Sequence, residues 1–369
     1  MASRLSLPKR LGFSLTLLGL LLAIAEVVVR LSGAATSCTA PSLAASKIWE
    51  CDPILGYRLR PVVSGVTINS RGLRGPEFDP SASFRMIALG DSCTFGMLTL
   101  GPTSSLYVEQ PYPERVAALM ANLSPSSVSV LNAGVPGYTS YQGDLLFRTH
   151  LRRLQPDLVS IKFGWNDLLV SGQPLPSTRE AATSLGRMRD DLLLRSALYP
   201  FARRLSLAVA AEAAPGPYVA PRSWTPNIPP DDFADNLRRM VGRVRARHAE
   251  AWLLTSADPF MTDDFRGRED AYAVSAAPQL KIIKLGGIQS FRELSELRAR
   301  YNGIIRDVGA ETGAPVIDME AVYREHSAEH LFTEMDAMHA TDAGHALEAQ
   351  AIVARLTSPG GLLARRATP

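Results

Sequence analysis

The chain has 369 residues, of which 46% are hydrophobic and 20% are charged. A chain of this length and composition can bury its own core, which excludes wholesale disorder as well as collagen-like and disulfide-scaffold proteins. Lysine and arginine (39) exceed aspartate and glutamate (36) by only three, a bias too small to indicate a nucleic acid as partner. The mean hydropathy of +0.02 is high for a soluble enzyme, which indicates that one segment is unusually apolar.

The apolar excess lies at the N-terminus. Residues 11–29 form a run of 19 positions with a single charged residue, Glu26. As a helix the run is roughly 28 Å long, close to the ~30 Å hydrocarbon core of a bilayer. Three basic residues precede it: Arg4, Lys9 and Arg10. They predict a cytoplasmic N-terminus by the positive-inside rule, and Glu26 is spaced to pair with Arg30 near the outer interface.

This N-terminal segment has three interpretations. In the first, residues 1–32 are an uncleaved signal anchor, a single transmembrane helix. In the second they are a cleaved signal peptide with Gly33-Ala34-Ala35 as the cleavage site, although the apolar part of such peptides usually has only about 7–15 residues. The third is a lipoprotein acylated at Cys38, whose preceding residues match a lipobox poorly. We favour the anchor, and all three interpretations export the rest of the chain.

The chain has three cysteines. In an oxidising compartment Cys38 and Cys51 can form a disulfide, which leaves Cys93 as the odd one. We interpret Cys93 as a small buried hydrophobic residue. No Cys-x-x-Cys pair occurs, so the sequence indicates no zinc ribbon and no thioredoxin-type site, and we expect no metal and no cofactor.

Past the apolar segment, a polar, turn-rich lead-in over 33–80 is followed by alternating strands and helices. The predicted strands are Met86–Leu89, Val128–Leu131, Leu158–Ile161, Trp252–Leu254 and Pro315–Ile317. The predicted helices are Pro113–Leu123, Gly143–Leu154, Asp232–Arg247, one opened by the capping box Ser290-x-x-Glu293, and Ala343–Leu356. Short apolar strands that alternate with longer helices predict an α/β domain whose parallel sheet is covered on both faces.

The predicted α/β domain spans 81–358 and contains an insertion at about 170–230. The first part of the insertion, 184–214, is rich in leucine and arginine and is predicted to be helical. Its second part carries six prolines, which prevent regular structure. We expect the insertion to form part of a lid or substrate wall, with a solvated spacer as the alternative. The tail, 359–369, is expected to be flexible.

Four polar clusters lie where predicted strands end or just before the last helix. Gly90-Asp91-Ser92 follows the first strand, and the segments 132–137 and 164–167 follow the next two. The fourth, 336–339, contains Asp336 and His339. In open α/β sheets ligands bind outside the carboxyl ends of the strands, so these clusters are expected to meet. A serine needs a base to accept its proton, the base needs an orienting partner, and an oxyanion needs fixed donors such as glycine N–H groups and an asparagine amide.

With these four blocks in this order, the sequence resembles the SGNH hydrolase family, also called GDSL esterases and lipases. The resemblance covers about Phe84 to Leu356 apart from the insertion. In detail the chain is similar to bacterial, membrane-anchored members, which share the apolar start and an Asn-x-x-Gly-Leu-Arg-Gly lead-in, here Asn69–Gly75. The resemblance implies a three-layer α/β/α sandwich with a central parallel sheet, the flavodoxin-like SGNH hydrolase fold.

The resemblance also implies roles for the site residues. Ser92 would be the nucleophile, His339 the general base and Asp336 its orienting carboxylate. The oxyanion hole would consist of the N–H of Ser92, the N–H of Gly137 and the side chain of Asn166. Cys93 departs from the family pattern, in which an apolar residue is more usual at that position.

Together these features predict an exported serine esterase that hydrolyses O-acetyl or short acyl esters of carbohydrates or lipids through an acyl-enzyme. The expected location is the bacterial inner membrane, with one membrane span, a cytoplasmic N-terminus and a periplasmic or extracellular catalytic domain. Two alternatives keep the same fold. One is an O-acyltransferase acting on envelope polysaccharide, and the other is a catalytically idle envelope-binding module.

Overall fold

The computed structural model describes residues 6–33, 48–52, 54–99, 105–123, 127–169, 196–202, 205, 223–261, 277, 280, 283–284, 286–326, 330–333 and 336–367. The chain divides into two compact units. The first consists of Met1–Arg58 and Thr183–Pro217, and the second of Leu59–Ala182 and Tyr218–Pro369. Most of the predicted insertion, including most of the predicted helix at 184–214, lies outside the described residues.

The first unit contains helix α1 (Leu7–Ser32), which is long and apolar enough to cross a membrane. Pro8 lies in its first turn, where no intrahelical N–H is needed, and the helix ends at Gly33 in the left-handed conformation. Its large apolar side chains are exposed along most of its length. A membrane span and a signal sequence near the N-terminus share this length and composition.

Glu26 of α1 has more partners than the sequence predicted. The expected pair with Arg30 is confirmed, since Nε of Arg30 donates to the Glu26 carboxylate at 2.7 Å. The carboxylate also accepts from the hydroxyl of Ser196 at 2.6 Å and from the N–H groups of Ala197 and Leu198 at 2.7 and 3.1 Å. A helical turn over 198–202 follows. Glu26 therefore caps the start of a segment about 170 positions away.

The lead-in is more regular than predicted. Strand β1 (Trp49–Asp52) pairs with β2 (Gly56–Leu59), and β3 (Val62–Ser64) pairs antiparallel with β4 (Val66–Ile68). Strands of three or four residues are too short to show a clear alternation in sequence, which is why the lead-in resembled a run of turns. Cys51 is disulfide-bonded, whereas Cys38, the partner expected from the sequence, lies outside the described residues.

The remaining strands and helices follow in chain order. The strands are β5 (Phe84–Gly90), β6 (Met97–Thr99), β7 (Ser105–Tyr107), β8 (Val128–Gly134), β9 (Leu158–Lys162), β10 (Glu250–Leu254) and β11 (Val316–Ile317). The helices are α2 (Ser92–Phe95), α3 (Tyr112–Leu123), α4 (Ser140–Leu146), α5 (Trp165–Leu168), α6 (Pro230–Arg245), α7 (Phe291–Thr312), α8 (Met319–Glu325), α9 (Asp342–Thr357) and α10 (Leu362–Ala367).

The central sheet has five parallel strands in the order β11-β10-β9-β5-β8. Numbered along the chain, this is the order 2-1-3-4-5 of flavodoxin-like sheets. Helices α3, α8 and α9 cover one face, and α4, α6 and α7 cover the other. The predicted α/β/α sandwich with a parallel sheet is therefore confirmed, and four of its five strands are longer than predicted.

The alternation of side chains along β5 explains why both faces are apolar. Phe84, Met86 and Ala88 pack in a core cluster with residues of α3 and α9, among them Val116 and Ile352. The intervening side chains point to the opposite face, where Ile87 is fully buried. That face is covered by α6, which buries the stripe that the sequence predicted: Phe233, Leu237, Met240 and Val244.

Two elements differ from their predicted form. The helix expected over Gly143–Leu154 begins at Ser140, because Thr139 and Gln142 form a capping box, and it continues into a π-helical turn over Phe147–Leu151. The tail was expected to be flexible, but it forms α10, whose first residue, Leu362, is buried in the same core cluster as Leu356. Leu363 packs against the same cluster, and Arg365 forms an ion pair with Glu250 of β10.

The topology also locates the carboxyl-edge crevice. The chain leaves β5 for β8 on one side and then crosses to β9 on the other side of β5. In doubly wound sheets ligands bind where the strand order reverses in this way. The turns that follow β5, β8 and β9 therefore border one crevice.

Candidate active site

Ser92 is the first residue of the short helix α2, directly after strand β5. Its predecessor Asp91 is the N-cap, and the Asp91 side chain accepts the N–H of Cys93 at 2.9 Å. The turn from strand to helix is tight: a Cβ on Gly90 would lie 2.0 Å from Oγ1 of Thr94. Ser92 itself is only 6% exposed, so the turn presents its hydroxyl to a confined space.

The predicted base and its partner lie against this hydroxyl. Nε2 of His339 is 2.8 Å from Oγ of Ser92. Nδ1 of His339 is 2.9 and 3.1 Å from the two carboxylate oxygens of Asp336. The same carboxylate accepts the N–H groups of Met338 and His339 at 3.0 and 2.9 Å, so one turn fixes the carboxylate and the imidazole together. The structure thus brings together all three residues in the order that proton transfer from a serine requires.

The electrostatics of this pair follow from burial and mutual attraction. Burial opposes the charge on Asp336, but the imidazole of His339 and two backbone N–H groups hold the pKa of this carboxyl well below its usual range. Burial would lower the pKa of His339, yet the Asp336 carboxylate outweighs it and raises that pKa above its ordinary value. The carboxylate therefore stabilises the imidazolium that forms when His339 accepts a proton.

The three donors predicted to form an oxyanion hole belong to Ser92, Gly137 and Asn166. Within the described part of the chain, the N–H groups of Ser92 and Gly137 have no hydrogen-bond partner. Nδ2 of Asn166 donates to the carbonyl of Tyr138, next to Gly137, at 3.1 Å, and lies 3.4 Å from the carboxylate of Asp91, next to Ser92. The amide of Asn166 therefore contacts the residue before Ser92 and the residue after Gly137.

Two glycines, at the end of β8 and in the loop after it, have different functions in this geometry. Gly137, in the loop, has a φ of 82°, a conformation that side chains disfavour. Gly134, the last residue of β8, allows the strand to approach α2 closely, because a Cβ there would lie 2.3 Å from the backbone nitrogen of Phe95. The end of β8 can thus lie against α2 only with glycine at 134.

Asp167 is a site residue to which the sequence alone assigned no task. It is fully buried and accepts the N–H of Ser140 at 3.0 Å and the Ser140 hydroxyl at 2.5 Å. Burial raises the pKa of the Asp167 carboxyl to about 7. Because Ser140 begins α4 just after the Gly137 loop, Asp167 ties that loop to the turn that carries Asn166. Its place directly after Asn166 was the only signal in the sequence.

A buried ion pair lies next to α2. Nζ of Lys162, at the end of β9, is 2.5 Å from a carboxylate oxygen of Glu348 on α9, and the hydroxyl of Tyr323 donates to the same oxygen at 2.9 Å. The two charged side chains are 5% and 3% exposed. With Cys93 and Met338 they line a small cavity.

Cys93 is a free, buried thiol, as predicted. Burial raises the pKa of this thiol well above its ordinary value, which keeps it neutral and unreactive. Within the described residues, no group of three or more histidine, cysteine, aspartate or glutamate side chains is arranged to hold a metal ion.

A serine, a histidine and a carboxylate in sequential hydrogen-bond contact at the carboxyl edge of a parallel sheet form an arrangement typical of ester hydrolases. The sequence model of the GDSL-like lipase/acylhydrolase family matches residues 88–347, which is most of the chain. The chain therefore belongs to this family, the one also called SGNH hydrolases, and it is a hydrolase that acts on ester bonds.

Several solved structures are similar to this chain at low sequence identity. An acetylxylan esterase from Geobacillus stearothermophilus, Axe2, is 16% identical over 76% of this chain and 97% of its own, with a TM-score of 0.44. A lipase/acylhydrolase from Enterococcus faecalis is 18% identical over 74% of this chain and 95% of its own, also with a TM-score of 0.44. LAE5, an alpha/beta hydrolase enzyme from the metagenome of Lake Arreo, Spain, is 17% identical over 74% and 94%, with a TM-score of 0.43. No curated protein matches the sequence.

Proposed function

We propose that this chain is an exported, membrane-anchored serine esterase that hydrolyses O-acetyl or short acyl esters through an acyl-enzyme. The observation that carries the proposal is the contact of Ser92 Oγ with Nε2 of His339 at 2.8 Å, with Asp336 2.9 Å from the other imidazole nitrogen. A serine hydroxyl is a weak nucleophile by itself, and this arrangement supplies both a base and its orienting group.

Acylation begins when Oγ of Ser92 attacks the ester carbonyl carbon while its proton passes to Nε2 of His339. The carbonyl oxygen becomes an oxyanion, which accepts hydrogen bonds from the N–H groups of Ser92 and Gly137 and from the amide of Asn166. Asp336 stabilises the imidazolium. When the tetrahedral intermediate collapses, the bond to the alcohol oxygen breaks, and His339 returns the proton to the departing alcohol.

Deacylation repeats these steps with water. His339 takes a proton from a water molecule as its oxygen attacks the acyl carbon on Ser92. The same three donors hold the second oxyanion. Collapse breaks the bond to Oγ of Ser92, His339 returns the proton to the serine, and the carboxylic acid leaves.

The proposed setting is a membrane surface. Helix α1 would span the bacterial inner membrane with a cytoplasmic N-terminus, and the catalytic domain would lie on the periplasmic side, where it meets carbohydrate or lipid esters. Alkaline phosphatase fused to the C-terminus should be active in cells, and mass spectrometry of the mature chain should find residues 1–32 attached. An inactive fusion would contradict the proposed topology, and a chain that begins after Gly33 would show cleavage.

Hydrolysis of p-nitrophenyl acetate by the full chain in detergent micelles tests the reaction. S92A and H339A should each lower kcat by about 10⁴-fold or more. S160A is the matched control, because Ser160 is a buried serine on the neighbouring strand β9 and should leave the rate nearly unchanged. If S92A and H339A retain the activity of the unsubstituted chain, the proposal is wrong.

A further inference from the structure

The motif Asn69–Gly75 has no part in the proposed reaction, yet it is folded tightly against the site. The side-chain oxygen of Asn69 accepts the N–H groups of Arg71 and Leu73 at 3.0 and 3.2 Å, and Gly72 adopts a φ of 71°. This turn leads the backbone of Arg74 into an antiparallel bridge with Asn132 on β8. The hydrogen bonds of this Asx turn fix the backbone from which the side chain of Arg74 begins.

The guanidinium of Arg74 lies behind the nucleophile helix α2. Nη1 donates to the carbonyl of Phe95, the last residue of α2, at 2.7 Å. Nη2 donates to the carbonyls of Val108 and Glu109, the latter at 3.2 Å. The guanidinium carbon is also 5.1 Å from the centre of the Phe95 ring, and Arg74 is only 5% exposed. The terminal carbonyls of a four-residue helix lack intrahelical partners, so Arg74 caps the helix that carries Ser92.

A second set of contacts joins Arg74 to the strand before the oxyanion loop. Nε of Arg74 is 3.5 Å from the carboxylate of Glu114, which accepts Nδ2 of Asn132 at 3.2 and 3.3 Å. The side-chain oxygen of Asn132 accepts the N–H of Gly134 at 3.0 Å. Gly134 in turn lies against the backbone of Phe95. The contacts therefore form a closed ring that joins α2 to the end of β8.

We infer that Arg74 is a positioning residue for the acyl-transfer site, acting through the Phe95 carbonyl and the Glu114–Asn132 contacts. This inference rests on the proposed function. Arg74 bonds to the carbonyl at the far end of α2 and not to the hydroxyl of Ser92. It also pairs with Glu114, which binds Asn132 of β8. Through these contacts it fixes the orientation of α2, and hence the positions of the Ser92 hydroxyl and N–H relative to His339. A lysine ammonium cannot make this set of bonds, because it is a single nitrogen, whereas the planar guanidinium of arginine donates to several acceptors at once.

The test compares R74M and R74K with R85M in the full chain. Arg85 lies at the amino end of the same strand that precedes α2, and it forms a comparable ion pair with Asp157 at 3.2 Å, away from the carboxyl edge. Sites are counted by titration with a fluorophosphonate, so that kcat refers to folded chains. R74M should lower kcat about 10- to 100-fold with KM within about twofold, since small misplacements of reacting groups have effects of this size. R85M should lower the melting temperature but leave kcat unchanged.

Two further measurements separate positioning from loss of folding. R74K should lower kcat in the same direction as R74M, and added guanidinium should restore part of the activity of R74A. If R74M and R74K keep the kcat of R85M, the inference is wrong while the proposed function stands. If the unsubstituted chain does not hydrolyse esters, or S92A does so equally well, the proposed function fails and this inference with it.

Discussion

The hydroxyl of Ser92 lies 2.8 Å from Nε2 of His339, although 247 positions separate the two residues along the chain. Ser92 follows the first strand of the central sheet, and His339 precedes α9. Both lie at the carboxyl edge because every strand of this sheet runs in the same direction. The short distance between these two side chains is therefore a consequence of the sheet topology.

The first prediction concerns the pH dependence of kcat/KM. His339 must be neutral to accept the serine proton, and its pKa is raised above the ordinary 6.5 because Asp336 outweighs burial. Activity should therefore fall as the pH falls through a value above 6.5. In D336N this acidic limb should move to lower pH, and kcat should drop by about 10⁴-fold. An acidic limb at the same pH in D336N would contradict the assignment.

The second prediction concerns the oxyanion donors. N166A should lower kcat for p-nitrophenyl acetate by about 10²–10³-fold and change KM little, because the amide is needed only when charge develops on the carbonyl oxygen. N236A is the control, since Asn236 is also buried but donates to the hydroxyl of Ser140. An equal loss in both variants would show that a general weakening of the fold, not a missing donor, is responsible.

The third prediction concerns stability at acidic pH. Burial raises the pKa of Asp167 from 3.8 to about 7, so the folded chain retains a proton that the unfolded chain releases. The resulting stabilisation is fully present below pH 3.8 and is lost as the pH rises through about 7. The free energy of unfolding should fall over this interval more steeply in the unsubstituted chain than in D167N. Urea unfolding at several pH values measures both slopes, and equal slopes would refute the prediction.

The fourth prediction concerns the buried pair of Lys162 and Glu348. K162M and E348M should each lower the free energy of unfolding by about 3–5 kcal/mol, because each leaves one buried charge without its partner. The double variant should be less destabilised than the sum of the two single variants. A double-mutant cycle in urea provides the comparison. Additive effects would mean that the two side chains do not interact.

The fifth prediction concerns Glu26 of α1. E26A removes the acceptor for Ser196, Ala197 and Leu198, so trypsin should cut after the adjacent Arg195 faster than in the unsubstituted chain. R30A keeps the carboxylate and is the matched control, with little change expected. Mass spectrometry of the early digest identifies the cut. Equal cleavage in all three chains would show that Glu26 does not secure this segment.

The family, the parallel sheet and the strands at its centre could be predicted from sequence, because each depends on a local pattern. Apolar runs mark buried strands, and the stripe beginning at Phe233 marks the buried face of a helix. The polar blocks were recognisable because each follows such a strand directly. The strands of the lead-in could not be predicted from hydrophobic periodicity, because they have only three or four residues each.

The supporting contacts could not be predicted, since they join residues far apart in sequence. Arg74 meets the carbonyls of Phe95 and Glu109, 21 and 35 positions away, and the sequence indicated only that it belongs to a motif. Asp167 meets Ser140 through a turn that only the folded sheet brings near. The C-terminal helix α10 packs through two adjacent leucines, Leu362 and Leu363, which are too few to form a periodic pattern.

Reaction of the full chain with a fluorophosphonate, followed by peptide mapping, identifies the nucleophile. We expect one adduct, on Oγ of Ser92, that is absent in S92A and forms far more slowly in H339A, since the histidine must take the serine proton. A chain that hydrolyses p-nitrophenyl acetate but carries its adduct on another residue, or none at all, would contradict the role of Ser92 as nucleophile.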